Sequence, residues 1–368
     1  MWNTQTKEGL TLREVTELTA ILKEALGWHQ ARSRFAAAFV LAVIKLRTVT
    51  FTSLALALNP WAKPLSNLRR IQRFFSSFHI DPDAFAQLLL NLVPEHDELL
   101  VTLDRTHWRV GQREINILMF AIAHDGVAFP VVWTPLGKAG ISNTRERQAL
   151  LERLLNVIPA GRIQAVLGDR EFIGDGWFTT LKERGVRFVI RIRKNAHVTS
   201  RGRTKRAGTW IRSLPVGAVV RRRRRVRIYG HRLFLTSLKR VSDDVLVVSD
   251  HPFIDALGIY GKRWGIETLF ANLKGRGFDL EATHLRDDER IGRLLALLAL
   301  AFSFAFRVGA LLVKKQPILV KGHGRKAVSV FRLGLDHLRK VLLNGSYLRG
   351  EFSRCLRVLQ PLQVLSCT

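Results

Sequence analysis

The order of apolar runs between residues 98 and 195 constrains the fold of this chain more than any other sequence feature. Two amphipathic segments in this region read as helices, at 143–157 and 175–184. Five apolar runs read as strands, at 99–103, 115–123, 128–136, 163–167 and 186–192. The resulting order, β-β-β-α-β-α-β, predicts a mixed α/β sheet flanked by helices, in which three consecutive strands come first.

Two aspartates stand where strands of this pattern are expected to end. Asp104 follows the first run in Leu-Asp-Arg-Thr, and Asp169 follows the fourth in Gly-Asp-Arg-Glu-Phe. Folds of the α/β class place their chemistry at the carboxyl ends of strands. Either aspartate alone could equally cap a turn or a helix. Glu171 is a spare acidic candidate beside Asp169.

A third acid, Glu267, belongs to a segment whose polar residues are spaced for one helix face. On an α-helix at roughly 100° per residue, Tyr260, Arg263, Glu267 and Lys274 lie within about 60° of one another. One face would carry a phenol, a guanidinium, a carboxylate and an ammonium, which together can hold a phosphate backbone. Glu267 considered alone would more simply pair with Arg263 on a solvated face.

The three acids together predict a metal centre. Ligation by oxygen alone suits Mg²⁺ or Mn²⁺, and two such ions about 3.5–4 Å apart can clamp the attacking and leaving oxygens of a phosphodiester. The chain has only two cysteines, Cys355 and Cys367, which argues against a disulfide scaffold and a cysteine-type zinc site. None of the 11 histidines is paired at the short spacing of a helical zinc motif.

The net charge of +29, from 59 basic and 30 acidic side chains, predicts a polyanionic partner. Nucleic acid is the default, and its binding should weaken steeply with salt. A membrane surface is the weaker alternative, because the basic residues are spread over all segments. The most apolar run, 294–306, is shorter than the roughly 20 residues of a membrane span, so we expect a buried core helix. The first five residues do not resemble a signal peptide.

The remaining segments suggest four regions. Residues 1–97 read as a helical DNA-binding or interaction domain, with a basic, aromatic helix at 68–78. Residues 98–195 and 251–313 form the expected catalytic domain, which includes long helices at 252–274 and 288–313. Residues 196–250 are a β-rich basic insertion, and residues 314–368 are a basic, helical C-terminal region.

The insertion contains the most basic run of the chain, Arg221, Arg222, Arg223, Arg224 and Arg225. These side chains would put charge on both faces of a strand and cannot enter a core. A DNA-contacting ribbon is favoured over a simple loop. Trp210 could stack on an unpaired base, although a core or surface role is the simpler interpretation.

Residues beside the acids have two interpretations each. Arg170 could contact phosphate or neutralise the acids. Thr106 and His107 could lie near the metals or serve the structure only. Trp264 is expected to pack inward.

The pattern Y-x2-R-x3-E-x6-K at 260–274 resembles, without a gap, the signature of bacterial insertion-sequence DDE transposases of the family numbered four. Asp104 and Asp169, in the contexts given above, look like the first and second acids of that family. Members of that family also commonly carry a β-rich insertion between the second and third acids, as this chain does. The resemblance covers about residues 98 to 310.

The resemblance implies a ribonuclease H-like fold split by the insertion, with two Mg²⁺ ions on the two aspartates and Glu267. Water, and then the freed 3′-hydroxyl, would attack phosphodiesters at the terminal inverted repeats of the element and in target DNA. Some relatives cut and paste through a DNA hairpin. Tyr260, Arg263 and Lys274 would hold the phosphates of the transferred strand. A homodimer on double-stranded DNA in the bacterial cytoplasm, associated with the nucleoid and not with a membrane, is expected.

Two other classes of function stay open at this stage. The first is a DNA-binding regulator or scaffold descended from such an enzyme, against which the presence of all three acids counts. The second is a structure-specific nuclease on the same fold, which would cut DNA without joining it to a target. A phosphate-binding Gly-x4-Gly-Lys-Ser/Thr loop is absent from the sequence, so ATP use is not indicated.

Overall fold

The computed structural model describes residues 10–94, 97–322, 324, 326–345 and 347–360 of the chain. The expectations about the first five residues and Cys367 lie outside this part. The chain divides into two compact units. The helical unit takes the residues up to Val93, Trp108–Glu114 and the residues from Phe270 onward, and the sheet unit takes Pro94–His107 and Ile115–Leu269.

Helices and strands alternate in blocks along the described residues. The α-helices are α1 Leu12–Leu26, α2 Gln30–Leu46, α3 Phe51–Leu58, α4 Pro64–Ser77, α5 Pro82–Leu92, α6 Thr144–Val157, α7 Asp175–Glu183, α8 Ala256–Gly261, α9 Trp264–Leu273, α10 Asp288–Lys315, α11 Val330–Leu343 and α12 Arg349–Leu356. The strands are β1 Leu99–Val110, β2 Arg113–His124, β3 Val127–Pro135, β4 Ile163–Gly168, β5 Phe188–Arg191, β6 His197–Ser200, β7 Arg203–Arg206, β8 Val219–Arg221, β9 Val226–Ile228, β10 His231–Leu238 and β11 Val245–Ser249.

The sheet has the spatial order β3-β2-β1-β4-β5-β11-β10-β9-β6-β7, with β8 paired to β10. Strand β4 runs parallel to both β1 and β5, and β3 runs antiparallel to β2. The predicted sequence of three strands followed by α-β-α-β is therefore observed. The mixed sheet flanked by helices, consistent with a ribonuclease H-like fold, is confirmed.

The β-rich insertion is also confirmed, and it continues this sheet. Strand β11, at its end, pairs antiparallel with β5, with Val248 opposite Ile190. Strand β10 pairs with β11 on one side and with β8 and β9 on the other. Backbone hydrogen bonds thus join the basic insertion to the strands that precede it.

Helices cover both faces of the sheet at β5, because successive side chains of a strand point to opposite faces. Val189 belongs to a buried cluster that includes Leu167 of β4 and Tyr260 of α8. Its neighbour Phe188 stacks on Phe178 of α7, with ring centroids 4.9 Å apart. Helix α8, which follows the insertion, therefore packs on one face of the sheet, and α7 packs on the other.

The predicted single helix over 252–274 is wrong, because α8 and α9 are separate helices. Between them the chain forms tighter i→i−3 hydrogen bonds, in which Arg263 N–H donates to Tyr260 O and Ile266 N–H to Arg263 O. The start of α9 lies against β3. A Cβ added to Gly265 would come within 2.7 Å of the Val127 carbonyl group, so only glycine allows this approach.

Helix α10 is the core of the helical unit, where it packs against α11, α2, α4 and α5. The apolar run 294–306 is buried throughout, as expected. By length and hydropathy α10 could cross a membrane, and the bent pair α2 and α3 could do so only if counted as one span. Because 72% of the most apolar window of α10 is buried, a core helix is the simpler interpretation.

Helix α1 begins with a capping box, and α4 has the basic and aromatic character expected at 68–78. Thr11 and Glu14 form the reciprocal capping box at the start of α1. Helix α4 buries its aromatic side chains and exposes Arg69, Arg70 and Arg73. The N-terminal helices share one unit with α10–α12, and the division of the chain into four functional regions stays a prediction.

We expect Gly265→Ala to lower the thermal unfolding temperature of the sheet unit. The added methyl group must displace the Val127 backbone, at a cost of about 1–3 kcal/mol. Gly261→Ala, whose Cβ meets no atom within 4 Å, is the matched control and should change stability by less than about 1 kcal/mol. Equal shifts for the two variants, measured by calorimetry, would contradict this packing.

Candidate active site

The parallel register of β1 and β4 brings Asp104 and Asp169 together. The last paired positions of the two strands are Leu103 and Gly168, and the aspartates are the next residues on each chain. Adjacent strands lie about 4.8 Å apart, so the two aspartates occupy neighbouring backbone positions at the same end of the paired segment. Asp104 does not end its strand, as the sequence suggested, because β1 continues to Val110.

Arg263 links Asp104 to the third acid. Its Nη1 lies 3.0 Å from Asp104 Oδ2, and its Nη2 lies 2.6 Å from Glu267 Oε1. The arginine side chain is only 5% exposed. The simple i,i+4 pair of Arg263 with Glu267 is therefore present, but it forms part of a buried bridge between distant parts of the chain.

Burial and like charge control the protonation of this cluster. The pKa of Asp104 is raised to about 7: burial raises it most, Arg263 and the Arg105 backbone N–H lower it, and the charges of Glu171 and Asp169 raise it. Burial alone would lower the pKa of Arg263, but Tyr260 and the two bridged carboxylates raise it overall. The arginine stays charged, and the acids together hold more negative charge than it neutralises.

Three polar atoms of the site are buried without a hydrogen-bond partner in the part of the chain that the structure describes. They are Asp169 Oδ1, the Tyr260 hydroxyl and Arg263 Nε. A buried polar group left unpaired costs about 1–3 kcal/mol, and a bound ion or a catalytic role is among the explanations for such a group. Oxygen donors and excess negative charge fit hard divalent cations such as Mg²⁺ or Mn²⁺.

Arg105 and Glu171 form a second ion pair beside the aspartates. Arg105 Nε lies 3.0 and 3.2 Å from the two carboxylate oxygens of Glu171, and both side chains are largely buried. Arg105 Nη1 also donates to Asn116, whose amide donates to the carbonyls of the 138–140 turn. Because each residue is close in sequence to one aspartate, the pair ties the two aspartate-bearing segments together.

From the sequence, Glu171 was only a spare acid and Arg105 was not identified. Both residues are visible in the two quoted motifs, because an arginine follows the first aspartate and a glutamate stands two residues after the second. The pairing became visible only once β1 and β4 were adjacent. Arg191 was also missed, although it pairs with Asp243 at 2.8 Å and its charge environment includes Asp169 and Tyr260.

The other predicted neighbours occupy different surroundings. Thr106 is buried, whereas His107 and Arg170 are exposed. Trp264 is 57% exposed, so the expectation that it packs inward is wrong. The separate turn before α9 directs Arg263 inward and leaves Trp264 at the surface. Lys274 belongs to the helical unit, where its Nζ lies 2.8 Å from Glu281 Oε1.

The arginines of the insertion line a groove of about 1440 Å³, which we call the arginine groove. Arg222 lies over the Trp210 ring at 3.7 Å from its centroid, and Arg223 and Arg224 are exposed in the loop between β8 and β9. The lining side chains are mostly cationic: Ser200, Arg201, Arg203, Lys205, Trp210, Arg221, Arg222, Arg223, Arg224, Arg225 and Arg232. Such a surface suits a polyanion.

A ribonuclease H-like sheet with one acid just past the last paired position of each of two parallel strands, and a third acid after an insertion, defines a DNA-processing DDE domain. A family model described as "Transposase DDE domain" matches residues 95–304, which is more than half of the chain. The chain therefore belongs to the transposase DDE domain family. No curated protein sequence matches it.

We expect Glu171→Gln to lower the rate of metal-dependent DNA cleavage about 10-fold while DNA affinity is unchanged, since Arg105 loses its charged partner and the aspartates lose alignment. Cleavage and binding are measured on the same DNA. Glu152→Gln, which removes an ion pair between exposed side chains in the same unit, is the control and should retain the wild-type rate. Equal rates for all three proteins would exclude a positioning role.

Proposed function

We propose that the protein is the transposase of a bacterial insertion sequence of the family numbered four. It cuts DNA at the terminal inverted repeats of the element and joins the 3′-hydroxyl ends to target DNA. One observation carries the proposal: Asp104 and Asp169 directly follow the last paired positions of β1 and β4, and buried Arg263 bridges Asp104 to Glu267. Membership of the DDE family supports it independently.

Asp104, Asp169 and Glu267 are the proposed ligands of two Mg²⁺ or Mn²⁺ ions. The unpaired Oδ1 of Asp169 and the incompletely neutralised charge of the cluster support this assignment. When bound, two such ions activate the attacking oxygen and stabilise the leaving oxygen of a phosphodiester. The flanking Arg105–Glu171 pair keeps the two aspartates in register.

Arg263, Tyr260 and Lys274 are the proposed contacts to the phosphates of the transferred strand. A guanidinium can hold two phosphate oxygens at once, and an ammonium acts as a point charge. Arg263 already presents both of its terminal nitrogens to the acid cluster, so it can exchange a carboxylate oxygen for a phosphate oxygen at the same place. Arg170, exposed beside Asp169, is a further phosphate contact.

The arginine groove is the proposed path of the DNA backbone on the insertion. Arg221, Arg223, Arg224 and Arg225 are exposed and lie outside the sheet core. Arg222 and Trp210 form a stacked pair at the wall of the arginine groove.

Because the two ends of an element must be processed together, we propose that the protein acts as a homodimer on DNA, in the bacterial cytoplasm.

We expect Glu267→Gln, Asp104→Asn and Asp169→Asn each to abolish Mg²⁺-dependent cleavage and strand transfer, with DNA affinity retained. The substrate is DNA carrying the inverted repeats that flank the gene. Glu183→Gln, an exposed acid on α7, is the matched control and should remain active. Wild-type strand transfer by Glu267→Gln would overturn the assignment of the acids.

The same assay separates the other classes of function. Cleavage without joining to a target would identify a nuclease, and specific DNA binding without Mg²⁺-dependent nicking would identify an inactive regulator.

We expect the double substitution of Arg223 and Arg224 by Gln to weaken DNA binding and to reduce the salt dependence of log K by about 2, because two phosphate contacts are lost. Replacing both residues by Lys keeps the charge and should retain the slope. Binding is measured by fluorescence anisotropy at several salt concentrations. An unchanged slope in the Gln variant would exclude the arginine groove as a DNA contact.

A further inference from the structure

The helical unit contains a second group of potential metal ligands, which includes a sulfur. His337 of α11 and Glu351 and Cys355 of α12 bring one ring nitrogen, one carboxylate oxygen and one sulfur within 4.8 Å of one another. Glu351 and Cys355 are four residues apart and so lie on the same face of α12. We call these three side chains the C-terminal cluster.

The surroundings of the C-terminal cluster favour metal binding over a simple ion pair. Cys355 is 2% exposed, and the His337 and Glu351 side chains are mostly shielded. His337 Nε2 lies 3.3 Å from Glu351 Oε1, yet within the described residues it is buried without a hydrogen bond. The other oxygen of Glu351 accepts from Arg354 Nη1 at 3.0 Å, which orients the carboxylate.

The donor set selects the class of metal. Zn²⁺ binds nitrogen and oxygen at about 2.0–2.2 Å and sulfur at about 2.3 Å, so its tetrahedral ligand atoms lie roughly 3.3–3.6 Å apart. Rotation of the long Glu351 and His337 side chains can close the remaining distance. Thiolate ligands favour Zn²⁺ and related transition metals over Mg²⁺ and Mn²⁺. The cluster therefore differs in preference from the three acids of the DDE site.

We propose that His337, Glu351 and Cys355 bind one Zn²⁺ ion, which fastens α12 to α11. Helix α12 has only 8 residues, too few to be stable without tertiary support. A metal ligated from both helices supplies that support, and a fourth coordination position remains for water. This site is independent of the proposed transposition chemistry.

The test uses Co²⁺ as a spectroscopic substitute for Zn²⁺, on the full chain after reduction and removal of metals. A thiolate bound to Co²⁺ gives a charge-transfer band in the near ultraviolet, which carboxylates cannot give. We expect the band to saturate at one equivalent of Co²⁺ and to disappear when Zn²⁺ is added. Cys355→Ser should abolish the band, and Cys367→Ser, which changes the other cysteine, should retain it.

A second measurement separates ligation from loss of structure. We expect His337→Gln and Glu351→Gln to weaken Co²⁺ binding at least 10-fold while the circular dichroism spectrum is unchanged. Zn²⁺ should raise the unfolding temperature of the wild-type protein and not that of Cys355→Ser. Absence of the band in the wild-type protein would overturn the proposal. So would its loss in Cys367→Ser but not in Cys355→Ser, or Co²⁺ affinity unaffected by His337→Gln.

Discussion

The buried guanidinium of Arg263 is the interaction on which the arrangement of the acids depends. It joins Asp104 and Glu267, and the pair of Arg263 with Asp104 spans 159 residues of sequence. A buried charge that loses its partner is strongly destabilising, so this bridge fixes the start of α9 against the strand that carries Asp104. The close approach of Gly265 to β3 and the tight turn after α8 both serve to place this one side chain.

The bridge also leaves part of the negative charge of the acids without a partner. Arg263 balances only part of the charge of the acids, and burial holds the pKa of Asp104 near neutrality. A divalent cation would supply the missing positive charge and the missing partner of Asp169 Oδ1. The guanidinium would then be available to a phosphate. The arginine groove on the insertion presents further positive charge, and none of the described residues that line it is acidic.

Much of this could be predicted from the sequence, because local patterns determine it. The order of strands and helices along residues 98–195 followed from the lengths and spacing of apolar runs, and Asp104 and Asp169 were identified by their position after two of them. The break before α9 could not be predicted, since helical spacing of the polar residues continues through 260–274 and the close approach of Gly265 to β3 is a contact between distant segments. The exposure of Trp264 likewise became visible only in the folded chain. The Arg105–Glu171 pair and the C-terminal cluster depend on contacts between segments distant in sequence.

The most direct test of the account is a crystal structure with Mn²⁺, in which anomalous scattering locates the ions. We expect anomalous peaks bounded by carboxylate oxygens of Asp104, Asp169 and Glu267, with Arg263 withdrawn from at least one of its two acids. An intact Arg263 bridge at saturating Mn²⁺, with no peak beside Asp169, would contradict it.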